Sequence, residues 1–244
     1  VTGAQSGAPL HTFNNLAPSA AVWSSATSNY SLTVTQQGTD GGKALLVNLS
    51  GAGQTIDTLT TTGLANMTIA STVASAATAT VTSLVDTGNT LSSLTISNPL
   101  AATTVSSANI GYAGAVTIAG ISAPALATIT ISDTAPVNLG TSTAPIAQAG
   151  LSVSFSGSST YNMGNDAIYL SGAGAKITAS SVKGVVKQDA SSGAVGDFIL
   201  SATGAGSTVL GGINAETITV GANGTVTMAQ GSLTAAGNAA ANLI

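Results

Sequence analysis

Residues 125–133 read Ala125-Leu126-Ala127-Thr128-Ile129-Thr130-Ile131-Ser132-Asp133. At the centre, Ile129-Thr130-Ile131 alternates apolar and hydroxylic residues one for one. Successive side chains of an extended chain point to opposite sides, so this spacing buries one face and wets the other. The stretch also closes nineteen residues without a charge, Ala113 to Ile131, near the ~20 apolar residues of a membrane helix. Pro124, Gly114 and Gly120 interrupt that run, and Thr117, Ser122, Thr128 and Thr130 give it strand spacing. No membrane span is expected.

The same alternation recurs in both directions. It appears in Leu45-Leu46-Val47-Asn48-Leu49, Met67-Thr68-Ile69, Leu94-Thr95-Ile96 and Val116-Thr117-Ile118. Val137-Asn138-Leu139, Leu151-Ser152-Val153-Ser154-Phe155, Ile168-Tyr169-Leu170, Ile218-Thr219-Val220 and Val226-Thr227-Met228 continue it. Val, Ile and Thr are β-branched and suit a pleated, half-buried surface. The spacing predicts an all-β protein of short strands separated by Gly, Ser, Asn and Ala. Val47 to Ile69, Ile96 to Ile118 and Ile131 to Val153 are each 22 residues apart, and Ile69 to Ile96 is 27. A loose repeat of this length suits a parallel β-helix, or β-solenoid, whose coils bury their apolar faces only by stacking. Eight to ten coils at about 4.8 Å would make a rod roughly 40–50 Å long. The alternative is one β-sandwich or two. Scarce aromatics favour the solenoid, because a thin coil interior takes aliphatic side chains more readily than rings.

Two segments stand apart in composition. Residues 1–40 hold Phe13, Trp23, Tyr30 and the single His11, and are expected to cap the rod or to dock; residues 41–244 form the solenoid-like domain. Within it, 156–200 carries three of the four Lys together with Asp166, Asp189 and Asp197, and reads as a more solvated loop or insertion.

Charge is the scarcest commodity. Four Lys, no Arg, seven Asp and Glu216 leave a net charge of −4 over 244 residues. Charged residues make up 5% of the chain, about a fifth of the usual share. No basic stripe exists to neutralise phosphates, so no nucleic acid is expected as a partner. With no Cys, disulfides, thiol catalysis and Cys-based metal sites are excluded. A surface with so little repulsion between copies favours association, so a homo-oligomer, lattice or filament, is expected.

Little in the chain carries catalytic chemistry. His11 is the only imidazole, and no G-x-S-x-G accompanies it. Gly38-Thr39-Asp40-Gly41-Gly42-Lys43-Ala44 fails as a phosphate loop, because Gln37 stands at the first glycine position and Ala44 at the Mg²⁺-binding hydroxyl. The eight acids are dispersed, with no Arg to hold an acidic sugar, which leaves a polysaccharide-active β-helix enzyme a remote alternative. A hard cation is better motivated. Gly211-Gly212-Ile213-Asn214-Ala215-Glu216-Thr217-Ile218-Thr219 tracks the calcium nonapeptide G-G-x-G-x-D-x-U-x with two departures, Asn214 for Gly and Glu216 for Asp. Met163-Gly164-Asn165-Asp166-Ala167-Ile168-Tyr169 keeps its second half. Asn165, Asp166, Asn214 and Glu216 are therefore the candidate calcium ligands. No catalytic residue and no other cofactor is expected.

Leu94-Thr95-Ile96-Ser97-Asn98, residues 125–133 and Glu216-Thr217-Ile218-Thr219-Val220-Gly221-Ala222 resemble phrases of bacterial surface-layer proteins of the Ala/Thr/Gly-rich, RTX-related, type I-secreted group. The resemblance covers most of residues 40–244. It implies a right-handed parallel β-helix, calcium-dependent lattice assembly and an extracellular, cell-surface location. The expected function is that of a self-assembling structural protein, with a cell-surface glycan as a possible further partner. The alternative is an adhesin-like binding module or passenger stalk whose ligand loops lie in 156–200.

Overall fold

The computed structural model describes residues 10–17, 21–24, 30–36, 44–49, 53–71, 79–97, 116–132, 137–156, 167–179, 198–211 and 216–228. They contain nineteen strands and no helix. In chain order these are β1 (Leu10–Leu16), β2 (Ala21–Ser24), β3 (Tyr30–Gln36), β4 (Leu45–Leu49), β5 (Thr55–Thr62), β6 (Asn66–Ser71), β7 (Ala79–Asp86), β8 (Ser93–Ser97), β9 (Val116–Ile118) and β10 (Ile121–Ser122). Then come β11 (Thr128–Ser132), β12 (Val137–Leu139), β13 (Ser152–Ser156), β14 (Ala167–Leu170), β15 (Lys176–Thr178), β16 (Phe198–Ala202), β17 (Thr208–Gly211), β18 (Glu216–Val220) and β19 (Thr225–Met228).

The strands fall into two sheets that the chain visits in turn. One runs β1-β3-β5-β7-β9-β12-β14-β16-β18, with β10 also beside β7; the other runs β2-β4-β6-β8-β11-β13-β15-β17-β19. Pairing is parallel throughout. Each rung of the solenoid is thus one strand from each sheet, and nine rungs stack. At about 4.8 Å per step the stack is roughly 38 Å long.

Alternation sets what lies between the sheets. Val22, Val47, Ile69, Ile96, Ile131 and Phe155 occupy one inner column of the second sheet in unbroken register. Leu45, Met67, Leu94, Ile129, Val153, Ile177, Val209 and Val226 form the column beside it. Across the interior stand Ile56, Val81, Ile118, Leu139, Ile168 and Leu200 from the first sheet. Nearly all are fully buried. At about 25 cal/mol per Å² of apolar surface, this continuous aliphatic column is the main stabilising term.

Two of the four sequence intervals are ladder steps: Val47 pairs with Ile69, and Ile69 with Ile96. The other two need correcting. Ile96 pairs with Ile131, while Ile118 belongs to the opposite sheet. Val153 pairs with Ile129, two residues from the position the interval implied. Coil length varies from 17 residues at Val209–Val226 to 37 at Ala79–Val116. Only the strands must match for stacking, so corners take insertions and a fixed period does not survive.

Corners of the last four coils share their own pattern. Gln148-Ala149-Gly150, Gly172-Ala173-Gly174, Gly204-Ala205-Gly206 and Gly221-Ala222-Asn223 stack on one another. The third residue of each has positive φ, from 56° to 69°. Its amide in the first three donates to the alanine carbonyl of the next coil at 2.8–3.0 Å. A Cβ at Gly204 would lie 1.9 Å from the Gly172 carbonyl oxygen, so only glycine allows adjacent corners to nest.

The N-terminal segment joins the same stack: β1 and β2 pair with β3 and β4 as its first rung. Within 156–200, residues 167–179 carry the ordinary strands β14 and β15, so that part is a rung rather than a loop. The rest of 156–200 beyond Ser156 and before Phe198 lies outside the described residues.

Candidate functional site

Of the four candidate calcium ligands, Asn165, Asp166 and Asn214 lie outside the described residues. Glu216 opens β18 and pairs with Phe198 in the ladder. Among the described residues, no three His, Cys, Asp or Glu side chains gather as a metal-holding group. Likewise, no described helix is long and apolar enough to cross a membrane. The glycine-lysine stretch at 38–43 lies outside the described residues.

His11 sits on β1, where its ring meets that of Tyr30 edge-on, centroids 5.5 Å apart. Tyr30 is buried at the start of β3, and its hydroxyl accepts from the buried Gln54 side-chain amide. His11 therefore packs as part of the end of the core.

The best-organised polar group is Asp86, at the corner from β7 to β8. It is 4% exposed. Its Oδ2 accepts from the amides of Thr90 at 2.7 Å and Leu91 at 2.8 Å; its Oδ1 accepts from Gly88 at 3.2 Å and the Thr61 hydroxyl at 3.4 Å. With these bonds it closes a turn through Asn89 at φ 51°. Asp86 is a structural carboxylate. Gln36 is its opposite: 6% exposed at the end of β3, with neither amide atom hydrogen-bonded.

What remains for function are the ends and the outer faces. Among the described residues, five partly buried apolar residues pack against the core: Phe13, Leu16, Ile121, Ile218 and Val220. Four of them lie on β1 and β18, the outermost strands of the first sheet. Among the described residues, no further rung covers the apolar interior at either end of the stack. Leu10, at the start of β1, is 65% exposed. Among the described residues, β1 and β2 have no neighbour on one edge, nor do β18 and β19 on the other. A bulge at Asn15, φ 54°, breaks the β1 ladder between Phe13 and Leu16 and leaves Leu10–Phe13 as its continuous part.

The two outer faces differ. On the first sheet the ladder shifts register between Tyr30 and Ser31, and the hydroxyls of Thr62 and Thr87 bond each other at 2.6 Å. On the second sheet β6, β8, β11 and β13 pair without a shift. Ser93, Thr128 and Ser152 align in one outer column, and Thr68, Thr95, Thr130, Ser154 and Thr178 in the next.

The sequence pointed to strands and to residues 1–40 as the capping or docking end, but it singled out neither the half-buried end residues nor the hydroxyl columns. Half-buried end residues look like any other strand residues, and columns become visible only once register is known. Comparison with protein-family models, with curated proteins and with solved structures finds no match for this chain.

Proposed function

We propose that this chain is an extracellular structural protein whose copies join end to end, building a filament or a surface layer. The observation that carries this reading is the pair of end rungs: among the described residues, the parallel strands there have no partner on their outer edge and surround half-buried Phe13, Leu16, Ile218 and Val220. Unpaired strand edges template the addition of further strands. In a parallel solenoid the first rung of one copy continues the last rung of another with the same strand direction. Such a contact is heterologous and does not close on itself, so it propagates. A surface with few charges does not oppose it. The resemblance to surface-layer proteins adds a cell-surface setting and calcium as a linking ion, with Asn165, Asp166, Asn214 and Glu216 as its ligands.

The test is negative-stain microscopy and sedimentation of the full chain with and without calcium. Rods in multiples of the single-copy length are expected, and Phe13→Asp or Ile218→Asp, each placing a charge in one end face, should return monomers. Monodisperse monomers of the unaltered chain under both conditions would sink the proposal.

A further inference from the structure

We propose that the outer face of the second sheet binds ice. The argument begins with lattice dimensions. Parallel rungs repeat at about 4.8 Å, and outward residues along a strand repeat at about 6.6 Å, two residues at about 3.3 Å each. Tetrahedral water joined by O–H···O bonds of about 2.75 Å sets second-neighbour oxygens about 4.5 Å apart and repeats about every 7.3 Å along its stacking axis. The mismatch is about 0.3 Å per rung, so it accumulates to about 1.2 Å over five rungs, less than half a hydrogen bond's length.

The residues on that lattice suit the ligand. Thr68, Thr95, Thr130, Ser154 and Thr178 form one column over five successive rungs, with Ser93, Thr128 and Ser152 beside it. No hydrogen bond within the described structure engages the hydroxyls of Ser93, Thr95, Thr128, Thr130, Ser152 or Ser154, whereas Thr62 and Thr87 on the opposite face satisfy each other. Each free hydroxyl can therefore take the place of a lattice oxygen. Thr is β-branched and holds few rotamers, so its oxygen and methyl group are already positioned. Strongly hydrated ions would disrupt such a layer, and these two columns carry none until Lys176, next after Ser152. Unbroken register through β6, β8, β11, β13 and β15 preserves the spacing. The first sheet lacks that regularity because its ladder shifts at Tyr30/Ser31.

The inference does not depend on end-to-end assembly, since a single copy carries the whole array. The test is growth of a single ice crystal in a solution of the full chain, read as the gap between melting and growth temperatures, with recovery of the chain in the ice fraction. The unaltered protein should open a measurable gap and facet the crystal. Thr130→Tyr, at the centre of the array, should abolish the gap, and Thr33→Tyr on the opposite sheet should leave it intact. Circular dichroism identifies a Thr130→Tyr protein that has lost its fold, in which case Thr95→Val, which removes one hydroxyl at constant shape, must still narrow the gap. No gap in the unaltered chain, equal loss in Thr33→Tyr and Thr130→Tyr, or retention on crystalline cellulose but not in ice would each overturn the proposal.

Discussion

Asp86 offers a test of how a coil is closed. Replacing it with Ala removes the acceptor for two short amide bonds, to Thr90 at 2.7 Å and Leu91 at 2.8 Å. Leu91 is fully buried and Thr90 exposed, so water can replace the carboxylate at Thr90 far more readily than at Leu91. A hydrogen bond to a charged group contributes about 1.5–3 kcal/mol, and a buried donor left unpaired costs about as much. We expect Asp86→Ala to lose about 2–4 kcal/mol, nearly all of it at the Leu91 amide. Asp86→Asn keeps one carbonyl oxygen. Turned toward Thr90 and Leu91, it preserves both short bonds and gives up the longer ones at 3.2 and 3.4 Å. Its cost should be about 1 kcal/mol. For a chain of this length, about 2–4 °C of melting temperature follows each kcal/mol. Thermal melts by circular dichroism should therefore separate the two variants by several degrees. Hydrogen exchange adds a local readout, because rungs couple chiefly to their neighbours: Leu91 should lose protection in the Ala variant and retain it in the Asn variant. If Asn is as damaging as Ala, or if both stay within about 0.5 kcal/mol of the unaltered chain, the corner is not held by Oδ2.

Further outcomes follow from the core, the corners and the orphaned amide of Gln36. Ile129→Ala, in the middle of an inner column of the second sheet, should cost about 2–5 kcal/mol in urea unfolding, since the rungs above and below hold the cavity open. Gly204→Ala should disrupt the stacked corners, its methyl carbon falling 1.9 Å from the Gly172 carbonyl oxygen. Gly206→Ala, with open space but φ +69°, should cost only about 1–2 kcal/mol; comparing their melting temperatures separates collision from backbone strain. Gln36→Leu should raise stability by about 1 kcal/mol or more, because it removes two buried polar atoms that have no partner. A loss of stability on that change would show that the amide is bonded in solution.

How much of this was legible in the sequence divides along a physical line. Burial on alternate positions is a local property, so Ile129-Thr130-Ile131 announces a strand without help from the rest of the chain. Register is not local. Ile96 and Ile118 sit in equally good strand phrases 22 residues apart, yet they belong to opposite sheets. The true partner of Ile96 is Ile131, because residues 98–115 lengthen that coil and stacking tolerates any length that returns the strand to its column. The signal that could have found the later rungs lies in the corners. Ser171-Gly172-Ala173-Gly174-Ala175 and Thr203-Gly204-Ala205-Gly206-Ser207 share a backbone requirement, a close approach followed by a positive φ, and that requirement restricts residue type more tightly than an inner column does. A column accepts Val, Ile, Leu, Met or Phe in turn, as Val47, Ile69 and Phe155 do in one of them. The hydroxyl array was hidden for the complementary reason. Its Ser and Thr are individually ordinary, and only the absence of a register shift across β6, β8, β11, β13 and β15 turns them into a lattice. A one-residue shift engineered between β8 and β11 would bring Ile129 and Ile131 to the outer face. The compact fold and the lattice should therefore be lost together, which ties the surface to the core that fixes it.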